Sequence, residues 1–269
     1  MINYIVACWM GERRQNSTDP LTYIKNHLHW LKTAKNIDNV IFVFNGKNHP
    51  QQEKAIDLVY RAGHKYFIRP NNGFSYGAWE YALKEVIKED KYNYSFLIED
   101  DYIPSTPYLI KYFLDNIKPN VGFVSSFYDY DKSNPHAGIS NGLICHKSIR
   151  KLIRRRQNIF ELYSPLDNYF WGDEGKASKD NKTMYGGAVS CQKTFLQPMV
   201  KEGYDIEDIT IDNYTKFYSA VGSQVGIHLY GNKEGICLLQ PNFEHFNATQ
   251  YYDVNYKIKR SKSLKTKRI

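Results

Sequence analysis

No CxxC pair, no GxGxxG turn, no P-loop and no apolar run of membrane length occurs in this chain. Each absence removes a class of protein. The four cysteines, Cys8, Cys145, Cys191 and Cys237, stand far apart. Three of them lie in apolar, strand-like surroundings (VACW, GLICH, GICLL), where free cysteine behaves as a small hydrophobe. That pattern excludes a zinc cluster and argues for a reducing compartment. The opening MINYIVACWMGERR becomes charged too early for a signal peptide. No stretch approaches the roughly 20 apolar residues of a spanning helix. A cytoplasmic protein is expected, with the cytoplasmic membrane surface as the alternative location. Without a P-loop the nucleotide-hydrolase class drops out. No internal repeat and no Pro-, Gly- or Ser-rich linker divides the chain.

A uniformly basic surface is also missing. The net charge is +8, but the tail KIKRSKSLKTKRI carries seven Lys/Arg and no acid. The remaining body is close to neutral, so no specific nucleic-acid partner is expected. A basic tail of low apolar content reads as a solvated end. Its second reading is a peripheral contact with an anionic membrane surface. Tyrosine, by contrast, is abundant, with 23 residues in 269. Its ring and hydroxyl suit a groove that handles rings or sugars.

The first half alternates strands and helices. Short β-rich runs occur at Asn3 to Trp9, Asn39 to Asn45, Lys65 to Arg69, Tyr94 to Glu99 and Val121 to Phe127. They read as apolar on both faces, as in a buried parallel sheet. Between them lie helical stretches with clear ends. Asp19 before Pro20 is a cap signal, followed by Leu21, Ile24, Leu28 and Leu31 at helical spacing. A second helix follows Pro50 and stops at Gly63, and a third, from about Ser75 to Glu89, carries the stripe Ala78, Ala82, Val86. A fourth starts at Thr106-Pro107. Strand–helix–strand repetition implies right-handed crossovers and a mostly parallel α/β sheet with helices on both faces. Further on, GLICHK reads as a strand, SIRKLIRRRQN as a basic helix, and SPLDNYFWGDEGKASKDNK as a loop.

Ligands of such sheets bind beyond the carboxyl ends of the strands. Glu99-Asp100-Asp101 stands just past one of those ends. Adjacent carboxylates there suit a hard divalent cation, Mg²⁺ or Mn²⁺, shared with substrate phosphates. They would equally suit a solvated turn. RPNNGFSYGAW, Arg69 to Trp79, adds a positive-φ turn at Asn72-Gly73 and a small residue, Gly77, where backbone can approach a ligand. His245 in PNFEHF is a third, distant feature, readable as a packed residue or as a histidine completing a metal shell.

The order strand, helix, strand, helix, strand, RPNNGFSYGAWEYAL, strand, IEDD resembles the GT-A fold glycosyltransferases, which use nucleotide-diphosphate sugars. The match runs from Asn3 to Phe246 and is tightest up to Pro104. It implies a single Rossmann-like domain over 1–250. The nucleotide-sugar half covers about 1–104, the acceptor half about 105–250, and the basic tail 251–269. On this resemblance Glu99-Asp100-Asp101 is similar to the DXD-type motif. Asp101 would be the direct metal ligand, Asp100 and Glu99 would face ribose or metal-bound water, and His245 would close the metal site. Ala7 to Trp9 and Arg13 would hold the base, with Asn45 where many members have aspartate. Arg69, Asn72, Gly73, Tyr76 and Gly77 would lie near the donor's ribose or sugar. Inverting members carry a catalytic base at the start of a late helix. In YDIEDITIDNYTKFYSAVG that base would be Asp212, in preference to Asp208 of the ED spelling. Asp173 and Glu174 of the long loop are next in line.

The implied activity is metal-dependent transfer of a sugar to a hydroxyl of a glycan or glycoconjugate, with inversion. Two competitors share parts of this pattern. A sugar nucleotidyltransferase would have a similar sheet, but a glycine-rich basic loop is expected after its first strand, and ACWMGERRQN has only Gly11 with Arg13 and Arg14. A non-catalytic carbohydrate- or nucleic-acid-binding module would use the tyrosines, RKLIRRR and the tail.

Overall fold

The computed structural model describes residues 1–11, 19–71, 73–88, 92–104, 107–115, 117–125, 130–131, 134–135, 142–160, 196–208, 227–231 and 237–241. Their elements, in chain order, begin with β1 (Ile2–Trp9), α1 (Pro20–Leu31), β2 (Asn39–Asn45), α2 (Gln52–Arg61), β3 (Lys65–Arg69) and α3 (Phe74–Ile87). They continue with β4 (Tyr94–Glu99), β5 (Ile103–Pro104), α4 (Leu109–Asp115), β6 (Val121–Ser125), β7 (Tyr130–Asp131) and β8 (Asn134–Pro135). The remainder are β9 (Gly142–Cys145), α5 (His146–Arg154), α6 (Gln197–Lys201), β10 (Asp205–Asp208), β11 (Ile227–Gly231) and β12 (Cys237–Pro241).

The central sheet has seven strands in the order β10-β6-β9-β4-β1-β2-β3. All its pairs are parallel except those made by β9, which runs against both β4 and β6. The sheet is therefore mostly parallel, Rossmann-like, and covered on both sides. Alternation along β1 explains the two layers. Ile2, Tyr4, Val6 and Cys8 join one core with Leu21, Ile24 and Trp30 of α1, Ala55 and Val59 of α2, and Phe113 of α4. Ile5 and Ala7 join the other with Ala78, Trp79, Ala82 and Val86 of α3, Ile149 and Leu152 of α5, and Met199 of α6. A strand buried on both faces must be apolar at successive positions. The runs YIVAC and VIFVF have that composition.

Several local signals act as the sequence implies. Asp19 caps α1, its Oδ1 accepting from the Leu21 amide at 3.0 Å, with Pro20 opening the helix. Gly63 takes φ +78 just beyond α2. Other expectations are corrected. Lys65–Arg69 is not buried on both faces, because β3 is the outermost strand and leaves Tyr66 and Ile68 exposed. The strand read over GLICHK ends at Cys145, and α5 begins at His146. The fourth helix starts at Leu109 rather than at Thr106-Pro107. The described residues reach only to 241, so the boundary expected at 250 and the basic tail lie outside them. Among the described residues no helix is long and apolar enough to cross a membrane.

At the amino end of the sheet a buried polar thread crosses three strands. Asn39 Nδ2 donates to Asn3 Oδ1 at 2.8 Å, and Asn3 Nδ2 donates to Ser95 Oγ at 3.2 Å. His146 Nδ1 lies 2.9 Å from the Tyr92 carbonyl, which can only accept, so its Nε2 takes the Ser95 hydroxyl proton at 2.7 Å. Ser95 and His146 resemble a nucleophile and its base, but Ser95 is wholly buried and far from the carboxyl edge. The thread satisfies polar groups in the core, which would otherwise be costly there.

The seam between β9 and β6 generates a test. A Cβ on Gly142 would meet the Phe123 ring at 2.4 Å and the Val124 carbonyl at 2.6 Å. Gly142→Ala is expected to lower unfolding stability by about 1–3 kcal/mol through overpacking, read by urea denaturation. Wild-type stability would contradict this packing of β9 against β6.

Candidate functional site

Parallel register brings the candidate residues to one edge. Trp9 of β1 pairs with Asn45 of β2, and Asn45 pairs with Arg69 of β3. On the other side Ala7 pairs with Glu99 of β4. Trp9, Asn45 and Arg69 thus form a row at the carboxyl edge, and the acidic turn begins beside it.

Arg69 and Asn45 of this row are joined by a side-chain hydrogen bond, and Asn45 reaches on to α3. Arg69 Nη1 donates to Asn45 Oδ1 at 2.6 Å, and Asn45 Nδ2 donates to the Phe74 carbonyl at 3.1 Å. That second bond fixes the entry to α3, where Gly73 (φ +77) and Phe74 (φ +50) are both left-handed. Such a conformation is cheap for glycine and strained for phenylalanine. The positive-φ turn expected at Asn72-Gly73 is present at Gly73, while Asn72 lies outside the described residues. Tyr76 and Gly77 belong to the first turns of α3. Tyr76 is only 4% exposed and sets its ring edge-on to Trp79.

Beyond Trp9 the chain leaves room for the indole. A Cβ on Gly11 would overlap the Trp9 ring at 2.5 Å, and one on Gly46 would approach it to 3.2 Å. The His49 ring meets the indole edge-on with centroids 4.5 Å apart, and burial pushes the His49 imidazole pKa down. Gln52 Nε2 donates to the Gly46 carbonyl at 3.3 Å, closing this corner.

The acidic turn is held from both layers of the sheet. Glu99 accepts from the Ser75 hydroxyl at 2.5 Å, which sets its carboxylate at the amino end of α3, where the helix dipole favours negative charge. Asp100 is 2% exposed. Its Oδ2 accepts from the Trp9 amide at 3.0 Å. Asp101 is half-buried in the turn, and its charge acts on His27 of α1. The Tyr102 amide donates to the Glu99 carbonyl at 3.2 Å and closes the turn.

Three carboxylates in succession offer only oxygen donors, the set Mg²⁺ and Mn²⁺ take while keeping positions for water and phosphate. The donor chemistry fits such an ion, with Asp101 as the expected holder. Among the described residues, those of this turn included, no three His, Cys, Asp or Glu side chains gather into a group that could hold a metal. His245, expected to complete it, lies outside the described residues, as do Arg13, Asp173, Glu174 and Asp212.

The other candidate base is described in its backbone, and its setting corrects an expectation. Glu207-Asp208 stands on a strand, where the start of a helix was expected. It ends β10, paired in parallel with β6 at the far margin of the sheet. Glu207 pairs with Lys118 there at 2.5 Å. The alternation Asp205, Ile206, Glu207 sets Ile206 against the α3–α5 core, a strand period that the ED spelling concealed.

No family model matches the chain, and no curated protein matches it. Solved structures with distant similarity exist. A cytidylyltransferase from Leptospira borgpetersenii serovar Hardjo-bovis (strain JB197) is 11% identical, with 77% of this chain and 74% of that one covered and a TM-score of 0.41. HddC from Yersinia pseudotuberculosis is 13% identical over 64% and 83%, with a TM-score of 0.38. A CMP:2-keto-3-deoxy-manno-octonic acid synthetase complexed with CTP is 10% identical over 77% and 88%, again at 0.38. Likeness this distant does not decide between chemistries.

His27, Ser75, His49 and Gln52 are the residues of this edge that the sequence reading missed. His27 had a signal. Tyr23, His27 and Trp30 recur at helical spacing, and all three are buried more deeply than Leu28 and Leu31 of the leucine stripe. Burial pushes the His27 imidazole down to about 4 from its ordinary 6.5, against the opposing hydrogen bond to Asp100 and the charge of Asp101. Between those values the unfolded chain binds a proton on His27 that the native state refuses. Stability should therefore fall as pH drops from 6.5 to 4, by up to about 3 kcal/mol from this residue. Urea unfolding across that window should show the slope, and His27→Gln should flatten it. An unchanged slope in the variant would assign the effect to other groups.

Proposed function

We propose that the chain is a divalent-cation-dependent transferase acting on a nucleotide-diphosphate sugar. In its specific form it is a glycosyltransferase that moves the sugar to a hydroxyl of a glycan or glycoconjugate with inversion. The observation that carries this reading is the register of four parallel strands. It sets Trp9, Asn45 and Arg69 in one row and the acidic turn beside them at a single carboxyl edge.

Each group at that edge has a use. Trp9, with Ala7 behind it, offers a planar surface and backbone for the base, and Arg69, held in place by Asn45, offers polar atoms toward the ribose. Gly73 opens α3, whose amino end favours negative charge and already has the Glu99 carboxylate beside it. Asp101, with His245, would hold Mn²⁺ or Mg²⁺. That ion supplies Lewis-acid stabilisation of the departing diphosphate. Asp212 takes the proton of the acceptor hydroxyl as its oxygen bonds to the anomeric carbon and the sugar–phosphate bond breaks. Cytoplasmic placement with a peripheral membrane contact through the basic tail is part of this proposal.

A panel of sugar nucleotides with Mn²⁺ tests the reading without a known acceptor. The correct donor should raise thermal stability and be slowly hydrolysed. Asp101→Ala should abolish that metal-dependent hydrolysis while leaving a folded protein. His245→Ala should weaken metal affinity by roughly 10- to 100-fold. Pyrophosphate release from a nucleoside triphosphate and a sugar phosphate would instead assign sugar nucleotidyl transfer to the same edge.

Once an acceptor is found, Asp212→Asn should slow transfer by roughly 10²-fold or more while donor binding persists. Normal transfer in that variant would move the base to Asp208, Asp173 or Glu174.

A further inference from the structure

The three acids of the turn are not equivalent. Asp100 is fastened at three atoms. Its amide donates to the Ala7 carbonyl at 3.0 Å, and its Oδ2 accepts from the Trp9 amide at 3.0 Å. Its carbonyl lies 3.0 Å from His27 Nε2. A carbonyl can only accept, so His27 carries its proton on Nε2, and Nδ1 accepts from the Tyr4 hydroxyl at 3.1 Å. Both Tyr4 and His27 are wholly buried, and Tyr4 lies parallel to Phe96 of β4. The bonds form a circuit from Tyr4 of β1, through α1 and the acidic turn, back to Trp9 of β1.

We propose that Asp100 is a positioning residue and not a ligand: together with His27 it clamps the acidic turn to the carboxyl end of β1 and so fixes where the Asp101 carboxylate stands. This rests on the reading of Asp101 as the cation holder. Two features separate Asp100 from its neighbours. It is the most buried of the three, and one oxygen of its carboxylate, Oδ2, already accepts from a main-chain amide of the neighbouring strand. Swinging it toward a ligand would take the acceptor from Trp9. The clamp also couples the two halves of the site, because one side chain sets both the Trp9 backbone and the turn that bears Asp101. Buried polar partners of this kind hold ligating groups in place, and their loss typically weakens metal binding by roughly 10- to 100-fold.

The experiment pairs isosteric with truncating substitutions and reads two quantities. The first is Mn²⁺ affinity with the metal alone, and the second is hydrogen exchange at the Trp9 amide. Asp100→Asn keeps an acceptor oxygen for Trp9 and removes the charge, so Mn²⁺ affinity should stay close to wild type. Asp101→Asn should lose it. His27→Leu should weaken Mn²⁺ binding by about tenfold or more, and His27→Gln, which can still donate to the Asp100 carbonyl, should restore most of it. Asp100→Ala should expose the Trp9 amide to at least roughly tenfold faster exchange, and Asp100→Asn should not. If Asp100→Asn loses Mn²⁺ as completely as Asp101→Asn, Asp100 is a ligand and the proposal is overturned. If wild type itself binds no Mn²⁺, the metal reading fails, and the exchange data alone decide the clamp. Equal Trp9 protection in wild type, Asp100→Asn and Asp100→Ala would overturn it.

Discussion

The parallel pairing of β1 with β2 on one side and β4 on the other is the constraint on which the site depends. It aligns Trp9 with Asn45 and Ala7 with Glu99, and through β2 it brings in Arg69. A slip of one residue would turn every side chain of a strand to the opposite layer. Tyr4 and Val6 would then face α3, and Ile5 would face α1. Each face of β1 is buried against its own set of partners, which opposes that slip. The same packing that stabilises the sheet therefore fixes the geometry of its carboxyl edge.

The acidic turn draws on both layers at once. Glu99 continues the face that packs on α3 and meets Ser75, whereas Asp100 accepts from the Trp9 amide through Oδ2 and meets His27 of α1 through its carbonyl. Successive residues leaving a strand point to opposite sides, so an acidic run there is divided between the two helical layers. Each of the first two acids is drawn to a different donor, and the third stays at the rim.

Much of this was legible in the sequence because it is local. Apolar runs between capped helices gave the strand–helix alternation, and Asp19-Pro20, Gly63 and the Ala78–Ala82–Val86 stripe act as their patterns imply. The acidic run at a strand end could be read because position along a strand is a local property. What stayed hidden depends on pairing across the fold. His27 and Asp100 are 73 residues apart, and Ser75 and Glu99 are 24 apart. Nothing in a window around either residue specifies its partner. Glu207-Asp208 misled for a related reason. Four residues carry too little period to separate a strand from a helix start, and β10 exists because β6 offers it an open edge. The exposed faces of β3 likewise follow from its place in the strand order, which composition does not encode.

A metal–nucleotide pair at the carboxyl edge is the central claim, and anomalous diffraction tests it most directly. Crystals grown with Mn²⁺ and a nucleoside diphosphate should give a manganese peak at coordination distance from the Asp101 carboxylate, about 2.0–2.6 Å for a hard cation on oxygen. The nucleotide should lie across the row of Trp9, Asn45 and Arg69. A manganese peak elsewhere on the protein, or a nucleotide bound away from that row, would contradict the assignment.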